Sequence, residues 1–269
     1  GYFPVADEKH QEFYTEKYGV THPTKPGLKI PQMFEAAINK ELKGLWIIGE
    51  DIVQTDPNSA HVIEAMNSLE LLVVQEIFMS ETAKLATVVL PGTTFLEKDG
   101  TFTNTERRIQ RVNRAVPPLP GTKPDGLIVT EMMQKLGFDQ PTYDADQVLA
   151  EIADIVPFFK GVTRERLGKF GLQWPVQEDG TDTKILHTET FKLGKGRLKN
   201  FDWKESSEIE ANQKDYPLIL TTSRVLQHYN AATMTRRTKN INIVDEDVLL
   251  IHPKDAAYRD LNTGDIGRL

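Results

Sequence analysis

The chain has 269 residues, of which 39% are apolar and 26% are charged. This composition is ordinary for globular proteins and excludes a wholly disordered chain. The 32 basic and 39 acidic residues give a net charge of −7, which argues against a general nucleic-acid binder, because such proteins carry a basic surface. No apolar run approaches the ~18 residues of a membrane span, and no secretory signal is recognisable.

Cysteine is absent from the sequence. These residues therefore supply no disulfide, no thiolate ligand for zinc or an iron–sulfur cluster, and no cysteine nucleophile. We take the cytoplasm as the expected compartment. The chain lacks an initiator Met, and residues 265–269 are typical of a strand that is just beginning, so we expect a piece of a longer protein.

The first part of the chain predicts a parallel α/β domain, which we place at residues 1–183. Short apolar runs predict buried strands, and apolar residues spaced three or four apart predict the helices between them. Asp56 and Pro57 are expected to begin one further helix, as its N-cap and its first residue. The predicted strands span 45–48, 71–74 and 85–90, and the other predicted helices span 31–43, 81–84, 124–136 and 145–155.

The pattern changes after residue 183. We expect a linker with a first strand at 184–215 and the beginning of a β-rich domain at 216–269. Residues 92–123 show no long periodic segment, and 157–184 are irregular. The predicted segments of the second part are a strand at 185–193, an acidic linker at 205–215, strands at 216–222 and 248–251, and a short helix at 252–261.

Polar residues follow two neighbouring strands of the predicted sheet. They are Gly49, Glu50, Asp51 and Thr55 after the first strand, and Gln75 and Glu76 after the second. Open α/β sheets bind ligands at the carboxyl ends of their strands, so we expect both segments at one edge. No GxGxxG motif is present, which removes the standard NAD fingerprint. The acids suit hydroxyls or the N–H donors of guanine, with phosphate at the helix N-terminus near Thr55; alternatively, they only cap a helix or face solvent.

Two further segments carry arginine. The first, 101–111, has three arginines near hydrogen-bonding residues, and the second, 221–230, has Arg224 and His228 in a loop after a predicted strand. Arginine forks suit pyrophosphate or carboxylate, although charge runs are usually solvated faces and a lone histidine is usually structural. No nucleophile elbow and no metal-ligand spacing of histidines is present, so we assign no catalytic and no metal-binding residue.

Four blocks stand in a fixed order and spacing: 49–57 (GEDIVQTDP), 73–83 (VVQEIFMSETA), 86–92 (ATVVLPG) and 97–110 (EKDGTFTNTERRIQ). Together they resemble the molybdopterin oxidoreductases of the dimethyl-sulfoxide-reductase superfamily, and within it the alpha subunits of formate dehydrogenases. Segments 223–230 and 251–265 resemble the start of the molybdopterin dinucleotide-binding domain of the same proteins. The resemblance covers nearly the whole chain.

The resemblance implies a Rossmann-like parallel sheet domain followed by the beginning of a β-barrel domain that binds molybdopterin dinucleotide. It also implies a bis-molybdopterin guanine dinucleotide cofactor with molybdenum or tungsten. Where the family commonly has Glu-Gly-Arg, this chain has Glu106-Arg107-Arg108. The positions to which the resemblance assigns dinucleotide binding are Gly49, Glu50, Asp51, Thr55, Gln75, Glu76, Asn104, Arg108, Asp125, Ser223, Arg224, His228 and Asn230.

The resemblance further implies parts that these residues do not carry: a cysteine-ligated 4Fe-4S domain, and a Cys or selenocysteine metal ligand followed by a His. We therefore expect a fragment of a formate dehydrogenase alpha subunit that is inactive alone. In the whole enzyme, formate loses two electrons and a proton at the metal to give carbon dioxide, and partners include the rest of the polypeptide and electron-transfer subunits. The alternatives are a fragment of an assimilatory nitrate reductase or related oxidoreductase, and a non-catalytic binding module of the same fold.

Overall fold

The computed structural model describes residues 7–267, which divide after Asp202 into two units. The first unit is built from helices and two small sheets. Its helices are α1 (Glu8–Tyr18), α2 (Ile30–Ile38), α3 (Ile52–Thr55), α4 (Ser59–Ser68), α5 (Glu81–Lys84), α6 (Asp125–Lys135), α7 (Ala145–Ile155) and α8 (Arg164–Leu167). Its strands are β1 (Gly44–Ile48), β2 (Leu71–Glu76), β3 (Val88–Pro91), β4 (Gly100–Thr103), β5 (Arg108–Val112) and β6 (Leu172–Gln173).

Three parallel strands form the first sheet, in the order β1-β2-β3. Alternate residues of these strands, such as Leu72 and Val74, point into one core with Phe34 of α2 and with Val62 and Met66 of α4. Parallel strands need connections long enough to return to the same end of the sheet, and α3 with α4 and then α5 supply them. The predicted parallel sheet and the α/β fold class are confirmed.

Three predicted boundaries are wrong by a few residues. The N-cap of α4 is Asn58, whose side chain accepts a hydrogen bond from the His61 N–H at 3.3 Å, so Asp56 and Pro57 precede the helix. The helix predicted at 31–43 ends at Ile38. The strand predicted at 85–90 begins at Val88, because the N–H groups of residues 85 and 86 still donate to carbonyls of α5.

The second sheet was not predicted. Strands β4 and β5 form an antiparallel hairpin, and β6 pairs with β5, so the order is β4-β5-β6. Ile109 of β5 packs with Leu149 of α7 and with Val162, Leu167 and Val176 in a small core of its own. The apparently irregular stretches 92–123 and 157–184 therefore meet in one sheet, across about sixty residues of sequence.

The second unit, as described over residues 203–267, contains helices α9 (Ser207–Asn212) and α10 (Pro253–Tyr258) and 3-10 turns at Thr235–Arg237 and Lys239–Asn242. The strands predicted at 216–222 and 248–251 are wrong, as is the strand predicted at 185–193 in the first unit. Backbone N–H and C=O groups of a strand need a neighbouring strand, and none pairs with these segments among the described residues.

The predicted linker at 205–215 contains α9, and the predicted helix at 252–261 ends earlier, at Tyr258. Apolar side chains of the irregular segments stay exposed, as shown by Ile219 at 74% and Leu250 at 89%. Within residues 7–267, no helix combines the length and the apolar character that crossing a membrane requires.

Candidate functional site

The carboxyl ends of the three parallel strands meet at one edge of the sheet. The Gly49 N–H donates to the Gln75 carbonyl at 2.9 Å, and the Gly92 N–H donates to the Glu76 carbonyl at 3.0 Å. Gly49 adopts a φ of 65°, a left-handed conformation that glycine takes without strain, and the chain turns there from β1 into α3. The prediction that segments 49–55 and 75–76 share one sheet edge is confirmed.

A connected group of three polar side chains lies at this edge. The Gln75 side chain is fully buried, and its Nε2 donates to Asp125 Oδ1 at 2.9 Å. Lys98 Nζ donates to Asp125 Oδ2 at 2.6 Å. Gly92 lies directly beside this group, because a Cβ atom at Gly92 would come within 3.0 Å of Asp125 Oδ1. We call Gln75, Asp125 and Lys98 the sheet-edge triad.

Two buried acceptors at this edge have no hydrogen-bond partner among the described residues. They are Gln75 Oε1 and Thr93 Oγ1, on side chains that are 0% and 1% exposed. Buried polar atoms in folded proteins are nearly always paired, because an unpaired one costs about 1–3 kcal/mol. The edge therefore offers hydrogen-bonding capacity that the described residues leave unused.

The Asp125 carboxylate is ionised at neutral pH. Burial raises the pKa of Asp125, but hydrogen bonds from Lys98 and Gln75 and the charge of Lys98 outweigh burial and hold the pKa below its ordinary value. A carboxylate whose folded-state pKa is lowered stabilises the fold above its unfolded pKa of about 3.9, and this contribution disappears as the pH falls through the folded-state pKa.

We therefore expect the melting temperature of Asp125→Asn to change less with pH than that of the unsubstituted chain, in the range below about pH 4. Calorimetry at several pH values between about 5 and 2.5 measures both slopes. Asp260→Asn serves as the control, because it removes a carboxylate that is exposed on the surface, and it should keep the original slope. Equal slopes for Asp125→Asn and the unsubstituted chain would contradict the prediction.

Asp51 is directed into the protein, although it follows the same strand end. Its carboxylate is 4% exposed, and Oδ1 accepts from the Thr82 N–H at 3.0 Å and from the Thr82 hydroxyl at 2.8 Å. Oδ2 accepts from the Glu81 N–H at 3.3 Å. Asp51 thus fastens the loop after β1 to the first turn of α5. Its neighbour Glu50 is exposed and accepts from the Thr55 hydroxyl at 2.7 Å.

Glu97, Lys98 and Thr93 were missed as site residues by the sequence reasoning. Glu97 Oε2 accepts from the N–H and the hydroxyl of Thr94, and Oε1 accepts from the Leu119 N–H at 2.8 Å. The backbone and hydroxyl donors of Thr94 and the Leu119 N–H hold the pKa of Glu97 below its ordinary value. The signal was present for Glu97, because Thr94 and Glu97 have the spacing of a capping box.

Asn104 and Arg108 organise the hairpin between β4 and β5. Asn104 Oδ1 accepts from the N–H groups of Glu106 and Arg108 at 2.9 and 3.0 Å, which closes the turn. The Arg108 guanidinium contacts the Glu106 carboxylate and the Phe170 carbonyl. Among the described residues, these side chains form no hydrogen bond with the sheet-edge triad.

Arg107 stands in the turn at a φ of 66°, the conformation that favours glycine. Its guanidinium donates to the carbonyls of Trp174, Thr183 and Lys184, and lies over the Trp174 ring at 5.6 Å. These contacts offset the cost of a left-handed arginine, which is about 1–2 kcal/mol. The hairpin turn therefore accommodates arginine where the family that this chain resembles commonly has glycine.

The loop of the second unit holds Ser223, Arg224, His228 and Asn230. His228 Nε2 donates to the Val244 carbonyl at 2.7 Å, so Nδ1 accepts from the Thr235 hydroxyl at 3.0 Å. Ser223 and Arg224 are exposed, and no residue in the described part of the chain pairs with the Arg224 guanidinium. Asn230 has a left-handed φ of 48°.

Two family models match the chain. "Molybdopterin oxidoreductase" matches residues 11–135, and "Molydopterin dinucleotide binding domain" matches residues 218–268. The chain thus carries a molybdopterin oxidoreductase domain followed by a molybdopterin dinucleotide-binding domain. The first match includes the whole sheet-edge triad, and the second includes the loop that holds Arg224 and His228.

Curated relatives match along nearly all of the chain. The F420-dependent formate dehydrogenase subunit alpha of Methanocaldococcus jannaschii is 43% identical over 99% of this chain and 40% of its own length. The Probable oxidoreductase YjgC of Bacillus subtilis is 39% identical over 100% of this chain and 27% of its own length. The chain therefore spans well under half of the length of these relatives.

A solved structure shares the fold. Acetylene hydratase from Pelobacter acetylenicus superposes with a TM-score of 0.58 at 20% sequence identity, and the match covers 95% of this chain and 38% of the hydratase. At this level of identity the likeness concerns the fold, and it agrees with the predicted α/β class.

Proposed function

We propose that this chain is the part of a formate dehydrogenase alpha subunit that holds molybdopterin guanine dinucleotide. The observation that carries the proposal is similarity over nearly the full chain to proteins named as formate dehydrogenase alpha subunits, at 43% identity for that of Methanocaldococcus jannaschii and 40% for one of Methanococcus maripaludis. Because the chain spans only part of those proteins, the activity is proposed for a longer polypeptide that contains it.

The sheet edge fits the nucleotide end of such a cofactor. A guanine base and a ribose have N–H and O–H donors, and the edge contains the ionised Asp125 and two buried acceptors without a partner among the described residues, Gln75 Oε1 and Thr93 Oγ1. Gly92, which has no side chain, lets the backbone lie close to Asp125, because a Cβ there would come within 3.0 Å of Asp125 Oδ1. We propose that Glu50, Thr55 and Glu76 border this site. We propose that Asp51 contributes indirectly, because its hydrogen bonds to α5 position the loop after β1.

In the second unit, we propose that Arg224 contacts phosphate of the second dinucleotide. Its guanidinium is exposed and unpaired among the described residues, and a guanidinium can donate two parallel hydrogen bonds to a phosphate. His228 uses both ring nitrogens within the loop and so fixes the loop that carries Arg224, Ser223 and Asn230. For the hairpin, we propose that Asn104 and Arg108 also contact molybdopterin guanine dinucleotide.

When bound, the cofactor supplies a molybdenum or tungsten ion for two-electron redox chemistry. We propose that the domains of this chain span residues 1–183, 184–215 and 216–269. The proposal further includes a 4Fe-4S cluster elsewhere in the polypeptide, electron-transfer subunits as partners, and a cytoplasmic location. The 269 residues alone are expected not to oxidise formate, because they include no cysteine to ligate a cluster or the metal.

The proposal is tested on the whole polypeptide that contains this chain. We expect the purified protein to reduce a viologen dye with formate and to release guanine nucleotide on acid treatment. Dye-dependent nitrate reduction without formate oxidation would replace the proposal with a nitrate reductase. Absence of both activities and of nucleotide, in a folded protein, would replace it with a non-catalytic module.

Arg224→Ala is expected to lower dinucleotide retention by about 1.5–3 kcal/mol of binding free energy, and Arg224→Lys by less, because lysine gives a single point charge where arginine gives a fork. Nucleotide content after gel filtration of the whole protein measures the loss. Arg236→Ala is the matched control, since Arg236 pairs with Asp247 at 2.8 Å. Full cofactor content with a lowered melting temperature in Arg224→Ala would show that Arg224 only stabilises the fold.

A further inference from the structure

The sheet-edge triad fixes the orientation of one buried amide. An ionised carboxylate accepts hydrogen bonds and donates none, so Asp125 can face only the Nε2 end of the Gln75 side chain. The observed contact has this polarity, with Nε2 donating to Asp125 Oδ1 at 2.9 Å. The Oε1 end of Gln75 is consequently turned away from Asp125 and remains without a donor among the described residues.

The polarity of the triad depends on the ionisation of Asp125. A protonated carboxyl group carries an O–H donor, and this donor could bind Gln75 Oε1 and reverse the amide. Lys98 opposes that reversal, because its ammonium lies 2.6 Å from Asp125 Oδ2 and its side chain is only 23% exposed. The Asp125 side chain is 41% exposed, so the pair is partly open to solvent, and the ammonium at 2.6 Å still favours the charged carboxylate.

We infer that Lys98 is a positioning residue of the sheet-edge site: it holds Asp125 so that the Gln75 amide presents Oε1 as an acceptor to a ligand with an N–H or O–H donor. No step requires Lys98 to touch the ligand. The identity of the ligand as a guanine nucleotide rests on the proposed function, whereas the orientation of the Gln75 amide rests on the geometry alone.

The acidic surroundings explain why a cation is needed here. Carboxylates come from several elements here: Glu50, Asp51 and Glu76 follow or end the strands, Glu97 lies in the next turn, and Asp125 begins α6. A nucleotide brings further negative charge to the same edge. The only ion pair of Asp125 in the described residues is the one with Lys98, so removing the ammonium leaves a half-buried carboxylate among like charges.

The test uses the 269-residue chain and variants of Lys98, Lys123 and Gln75. Lys98→Met removes the ammonium but keeps a flexible side chain of similar length, and Lys98→Arg keeps a cation. Lys123→Met is the matched control, because Lys123 forms a comparable pair with Glu131 at 2.5 Å. The Gln75 side-chain amide is followed by nitrogen–proton NMR, with the signal assigned by its loss in Gln75→Met, and its hydrogen exchange with water is measured.

We expect the Gln75 amide protons to exchange about tenfold faster in Lys98→Met, which corresponds to the loss of one hydrogen bond of about 1.4 kcal/mol. Lys98→Arg should restore slow exchange, and Lys123→Met should leave it unchanged. Unchanged exchange in Lys98→Met, with native methyl signals for Leu72 and Val74, would overturn the positioning role. If Lys98→Met unfolds, Lys98→Gln, which also removes the ammonium, decides: faster Gln75 exchange supports the positioning role, and unchanged exchange overturns it.

Titration with guanosine 5′-monophosphate separates this inference from the proposed function. Weaker binding by about tenfold in Lys98→Met, with unchanged binding in Lys123→Met, supports both. Wild-type binding that Lys98→Met leaves intact overturns the inference and leaves the proposed function standing. Faster Gln75 exchange in Lys98→Met, in a chain that binds no nucleotide, supports the positioning role and removes support from the proposed function.

Discussion

Asp51→Ala is expected to lower the free energy of unfolding by about 3 kcal/mol. The Asp51 carboxylate is buried and accepts three hydrogen bonds, from the Thr82 N–H, the Thr82 hydroxyl and the Glu81 N–H. Hydrogen bonds to a charged group are worth about 1.5–3 kcal/mol each, and their losses do not add fully. Alanine would also leave the buried donors of Thr82 without an acceptor. Urea denaturation of the 269-residue chain measures the change.

Two variants calibrate this result. Asp51→Asn keeps one acceptor oxygen and should lose about half as much free energy as Asp51→Ala. Glu50→Ala removes the neighbouring exposed carboxylate and should change stability by less than about 0.5 kcal/mol. If Asp51→Ala were as stable as Glu50→Ala, the carboxylate would be free to contact a ligand directly, and its assignment to the fold would be wrong.

The parallel sheet was predictable from sequence because its strands are nearly continuous apolar runs. Residues 45–48 and 71–74 lie in strands that are buried on one face against α2 and α4, and each run is followed by polar residues. Helix α7 was predicted with the observed bounds, since its apolar positions keep one period and Asp144 caps it. Where pattern and local capping agree, the sequence determines the element.

The hairpin of β4 and β5 was not predictable from hydrophobic pattern. Its strands have four and five residues, and only Ile109 of β5 is buried, so no alternation extends far enough to be read. Its turn places Arg107 in a left-handed conformation, where a pattern of turn residues would show glycine or asparagine. The third strand of the sheet comes from Leu172–Gln173, far along the chain.

The candidate site was predictable in part. Strand ends place Gln75 and Glu76 at the edge by topology alone, since parallel strands end together. Gln75 and Asp125 are fifty residues apart in sequence, and Lys98 lies in a turn between them. The spacing of these residues along the chain therefore does not predict that they meet. The buried direction of Asp51 was likewise invisible, because a polar residue after a strand can turn either way.

In the second part of the chain, strands were predicted that the described part of the structure does not contain. Residues 216–222 and 248–251 have the composition of strands. Composition indicates how well side chains suit a sheet surface, but it does not identify a neighbouring strand for hydrogen bonding. Without such a neighbour among the described residues, the segments remain irregular and expose Ile219 and Leu250. In this chain, strand propensity alone is therefore not sufficient, because a segment forms a strand only when a neighbouring strand pairs with it.

Backbone packing near the second sheet makes Gly161 the most restrictive glycine of the described chain. A Cβ atom there would lie 1.6 Å from the Gln177 carbonyl oxygen and 2.9 Å from Val176 Cγ1. The Gln177 backbone is itself fixed, because its N–H donates to the Thr181 carbonyl at 2.9 Å and Val176 is bridged to Asp182. A side chain at position 161 can therefore be accommodated only by moving backbone that holds the core residue Val176.

Gly161→Ala is accordingly expected to lower the free energy of unfolding by roughly 3–4 kcal/mol, at the upper end of the cost of overpacking, and to lower the melting temperature by roughly 10 °C. Urea and thermal denaturation of the 269-residue chain measure both. Gly27→Ala is the control: a Cβ at Gly27 meets nothing within 4 Å, and its φ lies outside the left-handed range, so this alanine should be neutral or slightly stabilising. Equal stability of the two variants would show that the segments at 161 and 177 are not in contact in solution.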